Sequence, residues 1–226
     1  MEIIDKLTYI SSYFSKVLRK KFGRGPQSCQ ASMCSNYLVI YIRGFISPME
    51  EVLLSQGQRK YVENAREVII DHILDELNGV IQVTLEVEIE DFYHDWNFPN
   101  NSGLIMLVLE NEVIELDCKT DIDIESFEAE VARISALVQK VPDAIKTIPI
   151  SRDIVLVERV GILVPIEKAL ITKGFITELK ITKDELEKSY FHKDRRFDGI
   201  FDQPLRDIFI DWNMKDDKSL MGFVLK

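Results

Sequence analysis

Apolar residues recur at three- and four-residue steps through Ile3, Leu7, Ile10, Phe14, Val17 and Leu18, which predicts an amphipathic helix over residues 3–21. Gly23 offers a stop and Pro26 prevents continuation. Residues 28–35 are short and mixed, Asn36 suits a tight turn, and residues 37–46 are rich in β-branched and aromatic side chains. Together they predict a hairpin. Strict alternation would send Leu38, Ile40, Ile42 and Ile46 to a core face. Tyr37, Val39, Tyr41, Arg43 and Phe45 would take the other face.

Ser47-Pro48-Met49-Glu50 is a helix start, with Ser as N-cap, Pro at the first helical position and an acid in the first turn. Gly57 interrupts that short helix. A longer one follows, with Val62, Ala65, Val68, Ile69, Ile73, Leu74, Leu77 and Ile81 in helical register, ending between Leu77 and Glu86. Residues 89–97 form a strand, residues 98–102 a turn and residues 103–110 a returning strand apolar on both faces. An acidic, polar stretch over residues 111–123 reads as a linker, and a further helix begins near residues 123–126.

The same pattern then returns. Residues 37–57 align with residues 154–174 at an offset of 117, matching Gly44 with Gly161, Pro48 with Pro165, Glu50 with Glu167 and Gly57 with Gly174. Residues 91–110 align with residues 207–226 at an offset of 116, and here Asp95-Trp96-Asn97 recurs as Asp211-Trp212-Asn213. Self-similarity kept in order over more than half of each unit predicts a duplicated domain. The expected architecture is α+β: two units, over residues 1–115 and 120–226, each a mainly antiparallel four-stranded sheet with helices on one face. The free sheet faces, carrying Tyr37, Tyr41, Phe45 and Tyr93, are expected to pack between the halves or between chains. In the second copy Arg43 becomes Val160, and residues 193–196 with Pro204 are expected to break up the long helix.

Composition narrows the function classes. With 46% hydrophobic and 29% charged residues among 226, the chain has a globular make-up. The longest apolar runs are strand-length, the N-terminus is a poor secretory signal, and a cytoplasmic protein is expected. A net charge of −10 disfavours nucleic acid as a partner. The charge is uneven: residues 1–24 hold six cations (Lys6, Lys16, Arg19, Lys20, Lys21, Arg24) against Glu2 and Asp5, a balance of +4 that leaves −14 for the rest. Cys29, Cys34 and Cys118 show no CxxC spacing, and His72, His94 and His192 are scattered, so reduced thiols, no metal and no cofactor are expected. Ser, Cys and His show no triad spacing, and no catalytic residue is assigned.

Three features could still carry function. Gly23-Arg24-Gly25-Pro26, beside Lys20 and with Arg43 and Glu50 elsewhere in the first unit, could hold a small anion or nucleotide; the favoured reading of that turn is a helix stop. The basic end of the first helix could meet an anionic membrane surface or an acidic partner, although a solvated face opposite the helix dipole is the plainer reading. Asp95 and Asn97, with Asp211 and Asn213, could cooperate near their turns, or could simply satisfy backbone amides there. Trp96 and Trp212 read as core. Asp71 and His72, beside Asp75, could form an acid–base pair, but an exposed helical ion pair is commoner.

At Phe22-Gly23-Arg24-Gly25-Pro26, Tyr41-Ile42-Arg43-Gly44-Phe45 and Ser47-Pro48-Met49-Glu50, the first half resembles MpsC. This is a bacterial family first described only as a domain of unknown function and later associated with a sodium-translocating, membrane-potential-generating system. The resemblance implies a small cytoplasmic protein, non-catalytic and accessory to a membrane ion or inorganic-carbon transport system. It would be peripheral to the inner face of the membrane, with a transport protein or the membrane itself as partner; a homodimer is also expected to be open to it. The rival reading is the anion- or nucleotide-binding domain, enzymatic or not, on Lys20, Arg24, Arg43 and Glu50.

Overall fold

The computed structural model describes residues 2–113, 122–194, 199–201 and 203–226. The chain divides into two compact units, Met1–Phe92 with Trp96–Leu116, and Tyr93–Asp95 with Asp117–Lys226. The first unit runs α1 (Ile3–Phe22), β1 (Ser28–Cys34), β2 (Tyr37–Arg43), α2 (Pro48–Ser55), α3 (Arg59–Leu85), β3 (Ile89–Asn97) and β4 (Ser102–Leu109). The second runs α4 (Ile124–Val138), β5 (Ala144–Ser151), β6 (Ile154–Val160), α5 (Pro165–Thr172), α6 (Ile176–Lys193), β7 (Leu205–Asn213) and β8 (Lys218–Leu225). The two sheets have strand orders β1-β2-β4-β3 and β5-β6-β8-β7. The fold is α+β with a repeated unit, and the last strand of each unit sits inside its sheet beside the second strand.

The duplication extends beyond the segments where identities reveal it. The buried residues of α1, Ile10, Phe14, Val17 and Leu18, stand 117 before those of α4, Phe127, Val131, Ile134 and Ser135. The core of the first unit lies between its helices and one face of the sheet, on Leu38, Ile40, Ile42, Ile105 and Leu107. In the second unit Val155, Val157, Ile208, Ile210 and Phe223 build the corresponding layer.

One expectation about faces is corrected. Phe45 does not continue the alternation of β2. Gly44 has a φ of +66° and Gly161 one of +67°, a region that suits residues without a Cβ, and there the chain leaves the sheet. The exit is fastened at Gly44, whose N–H donates to the Asn101 carbonyl at 2.8 Å, and likewise from Gly161 to Asp217 at 2.8 Å. Phe45 consequently drops into the core beside Phe22, edge to face with ring centroids 4.9 Å apart. Tyr37, Tyr41 and Tyr93 are all buried.

The long helix is rotated from its expected register as well. The buried stripe of α3 is Val62, Arg66, Ile70, Ile73, Leu77 and Ile81, while Ala65 and Val68 are exposed. In the second unit α6 runs unbroken to Lys193; the expectation about Arg196 falls outside the described residues.

Candidate functional site

The most distinctive polar constellation of the first unit is buried. Ser47 caps α2: its hydroxyl accepts from the Glu50 N–H, and the Glu50 Oε2 accepts from the Ser47 N–H at 2.7 Å. This reciprocal capping box turns the Glu50 carboxylate inward, where Arg66 meets it with two bonds, Nε to Oε1 at 2.7 Å and Nη2 to Oε2 at 3.0 Å. Arg66 Nη2 also donates to the Phe45 carbonyl at 2.6 Å. The guanidinium lies among aromatic rings, 4.3 Å from the Trp96 centroid, 5.1 Å from Phe45 and 5.2 Å from Phe98. A planar, always-charged fork suits this place, since it can stack and bond bidentately at once. Burial alone would push the Glu50 carboxyl up, but Arg66 and the two Ser47 groups outweigh it and hold the carboxyl below its ordinary value.

The same place in the second unit holds Glu167 and Lys183, with Lys183 Nζ 3.0 Å from Glu167 Oε1 and 5.3 Å from the Trp212 centroid. Val164 stands where Ser47 does and has no side-chain acceptor, so only the bond from its N–H to Glu167 Oε2, at 2.9 Å, remains of the box. The pair Arg66 and Lys183 was missed by reading apolar spacing. Its signal is present in the sequence: a basic residue at the same helical position in both units, at the 117 offset, beside the aligned Glu50 and Glu167.

The sequence-predicted residues are distributed as follows. Glu50 is spent on Arg66 and Ser47. Arg24 is exposed and donates from Nη1 to the Ile46 carbonyl at 3.1 Å. Lys20 and Arg43 are exposed. Glu50 thus faces the interior while the three cations face outward. Trp96 and Trp212 are buried. Asn97 and Asn213 accept from Asn100 N at 3.2 Å and Asp216 N at 3.1 Å in the turns that follow. Asp211 pairs with Lys180 at 2.9 Å. Asp95 groups with the second unit, where burial and then the neighbouring Asp184 charge push its carboxyl up to about 7 against the pull of Lys188.

The recess beside the Arg66 centre, lined in part by Phe45, Arg66, Trp96, Asn101 and Ser102, has no room for a water molecule. The arrangement therefore does mechanical work: it ties the α2 start, the middle of α3 and the chain leaving β2 into one knot. Among the described residues no group of three or more His, Cys, Asp and Glu could hold a metal ion. Cys29 is a free thiol and burial pushes it up to about 12. Cys34 is disulfide-bonded, which corrects the expectation of reduced thiols; Cys118 lies outside the described residues. Asp71, His72 and Asp75 are all exposed on α3.

Basic charge remains at the end of α1. Arg19, Lys20 and Lys21 occupy its last turn, Lys21 pairs with Glu76 of α3 at 2.9 Å, and Lys16, Arg19 and Lys20 face outward. Among the described residues no helix is long and apolar enough to cross a membrane. Residues 6–111 match the model of a family described as the Na+-translocating membrane potential-generating system (MpsC). No curated protein matches the chain, and no solved structure does.

Proposed function

We propose, on the match of residues 6–111 to the MpsC family model, that the chain is a non-catalytic accessory component of a membrane ion or inorganic-carbon transport system, acting from the cytoplasmic side. The family match carries this reading. The geometry supports it indirectly, because the ionic groups that recur in both units are turned inward and spent on holding each unit together. A protein of this kind acts through its surface. The outward cations of α1 and the following turn, Lys16, Lys20 and Arg24, are the contact we assign to an anionic membrane face or a transport protein.

Sedimentation with vesicles containing anionic lipid, with and without the reconstituted transport proteins, tests the reading. Lys16→Glu, Lys20→Glu and Arg24→Glu together should abolish association while leaving the circular dichroism spectrum unchanged, since all three side chains are exposed. Failure of the wild-type chain to associate with either preparation would overturn it. The rival anion-binding reading predicts a thermal shift with phosphates, nucleotides or bicarbonate, roughly 2.7 kcal/mol at about 100 times the dissociation constant. The inward commitment of Glu50 argues against it.

A further inference from the structure

Met49 and Val52 on α2 are 70% and 54% exposed, while Glu50 between them is buried on Arg66. Three residues apart on a helix, the two apolar side chains share one side of it. Glu51, the exposed acid of the same helix, lies about a third of a turn from that side. The second unit keeps the feature: Ile166 and Ala169, 117 residues on, are exposed as well, Ile166 by 67%. An outward apolar pair on the short helix is thus present in both copies.

In the first unit two guanidiniums are held where the chain enters this helix. Arg24 donates from Nη1 to the Ile46 carbonyl, two residues before α2 begins. Arg19 folds back over Gly25: a Cβ added there would lie 2.7 Å from its Nε and 3.1 Å from its Nη2, so the glycine leaves the space that the guanidinium fills. Phe22, between the two arginines in sequence, packs on Phe45 and joins the end of α1 to the approach to α2. Among the described residues neither Arg19 nor Arg24 pairs with a carboxylate, in a chain whose net charge is −10. Ala136 stands at the Arg19 position of the second unit, so the cationic part belongs to the first unit alone. Held cations beside an apolar pair that stands clear of them match the layering of a bilayer, whose phosphates lie outside its acyl chains.

We propose that this end of the first unit is a lipid-contact site for an anionic bilayer: Met49 and Val52 enter the acyl layer, and Arg19 and Arg24 take lipid phosphates at its surface. The inference rests on the accessory-component reading above and narrows the partner of the α1 cations to the bilayer itself. It adds an apolar anchor to an otherwise electrostatic contact, so part of the binding persists at salt concentrations that screen the cations.

The test uses the full chain and vesicles of phosphatidylcholine with and without phosphatidylglycerol, the acyl chains brominated in a parallel set. The wild-type chain should sediment with the phosphatidylglycerol vesicles. The emission of a Met49→Trp variant should shift to the blue on binding and be quenched by the brominated chains, against the background of the buried Trp96 and Trp212 measured in the wild-type chain. Met49→Asp with Val52→Asp should weaken binding by about tenfold or more, as should Arg19→Gln with Arg24→Gln. Gly25→Ala should weaken it while keeping every charge, because the added Cβ displaces the Arg19 guanidinium. Circular dichroism should show all these variants folded. Sedimentation of the wild-type chain without quenching at position 49, or with no loss in the double Asp variant, would overturn this inference and leave the cation contact standing. Association only with vesicles carrying the reconstituted transport proteins would also overturn it, since the partner would then be a protein. No association with either preparation would overturn this inference and the accessory-component reading together.

Discussion

Gln139 donates from Nε2 to Glu167 Oε1 at 2.6 Å, at the place where the first unit has Phe22. The exchange accompanies the change from Arg66 to Lys183. Arg66 supplies two bonds to its glutamate and stacks on rings, Phe22 among them at 5.9 Å. Lys183 reaches Glu167 with one contact, and Gln139 provides a further donor. Gln139→Ala should therefore destabilise the chain by about 1–3 kcal/mol in urea, the cost of a carboxylate left short of a partner. Lys183→Arg placed in a Gln139→Phe background should recover part of the loss, because that pair restores the arrangement of the first unit. No recovery would show that the two positions are not coupled.

Glu50→Ala should be among the most damaging single changes in the first unit. It strands a guanidinium that is 2% exposed, at a cost of about 3–5 kcal/mol, and it removes one half of the capping box. The double change Glu50→Leu with Arg66→Met should cost less than the sum of the two single changes, since no unpaired charge remains. Denaturant midpoints of the four proteins decide it, and strict additivity would refute the coupling.

The pH dependence follows from the same pair. Glu50 is held below its ordinary value of 4.5 in the folded chain, with burial opposing and Arg66 prevailing. A carboxyl depressed by folding contributes stability that is complete above its unfolded value and is lost as pH falls through the folded one. Glu50→Gln should then flatten the fall in stability below about pH 4.5. Asp217, whose carboxyl is also lowered, with burial opposing and Lys168 and the Ile162 and Leu163 N–H groups prevailing, should keep part of the slope in that variant. Melting temperatures between pH 3 and 7 measure both.

Much of this was legible in the chain because duplication makes a sequence its own control. The offsets of 117 and 116 match β2, β3 and β4 with β6, β7 and β8, while β1 and β5 lie outside the aligned residues, and Gly44 and Gly161 mark the exits from the sheets. Counting apolar spacing failed where a charge lies in the core. It placed Ala65 and Val68 inward and passed over Arg66, since nothing in a hydrophobic pattern anticipates a guanidinium stacked between rings. It also carried the alternation of β2 through Gly44, where a positive φ ends it. The aligned pair Arg66 and Lys183 held the missing information, since each cation stands opposite an aligned glutamate, Glu50 or Glu167.

Cys29 should be chemically quiet despite being a free thiol. Burial pushes its pKa up to about 12, so on the order of one molecule in 10,000 is a thiolate at pH 8. Iodoacetamide should label the peptide containing Cys29 far more slowly in the native chain than in urea, as read by mass spectrometry. Comparable rates would mean that the β1 edge opens readily.

A last contrast between the units tests whether buried charge stabilises this fold. Arg159 and Glu187 are both fully buried and lie 2.7 Å apart, with Arg159 also bonded to Ser219 Oγ at 2.9 Å and Ser135 Oγ at 3.0 Å. The equivalent positions in the first unit are Ile42, Ile70, Gly103 and Leu18, all apolar. The register agrees, since Ile42 pairs with Gly103 and Arg159 with Ser219. Arg159→Ala should cost about 3–5 kcal/mol by leaving the buried Glu187 with only the longer ion pair to Lys183, at 3.7 Å, whereas the fourfold graft Ser135→Leu, Arg159→Ile, Glu187→Ile and Ser219→Gly should be neutral or stabilising by about 1–4 kcal/mol. The graft is sterically reasonable because the first unit already packs that set, with the Trp96 ring filling the space a Cβ on Gly103 would occupy, 2.2 Å from Cε3. A graft that unfolds, while its Ile42 and Gly103 counterparts support the first unit, would mean that the network fixes the position of α6 in a way that apolar packing does not.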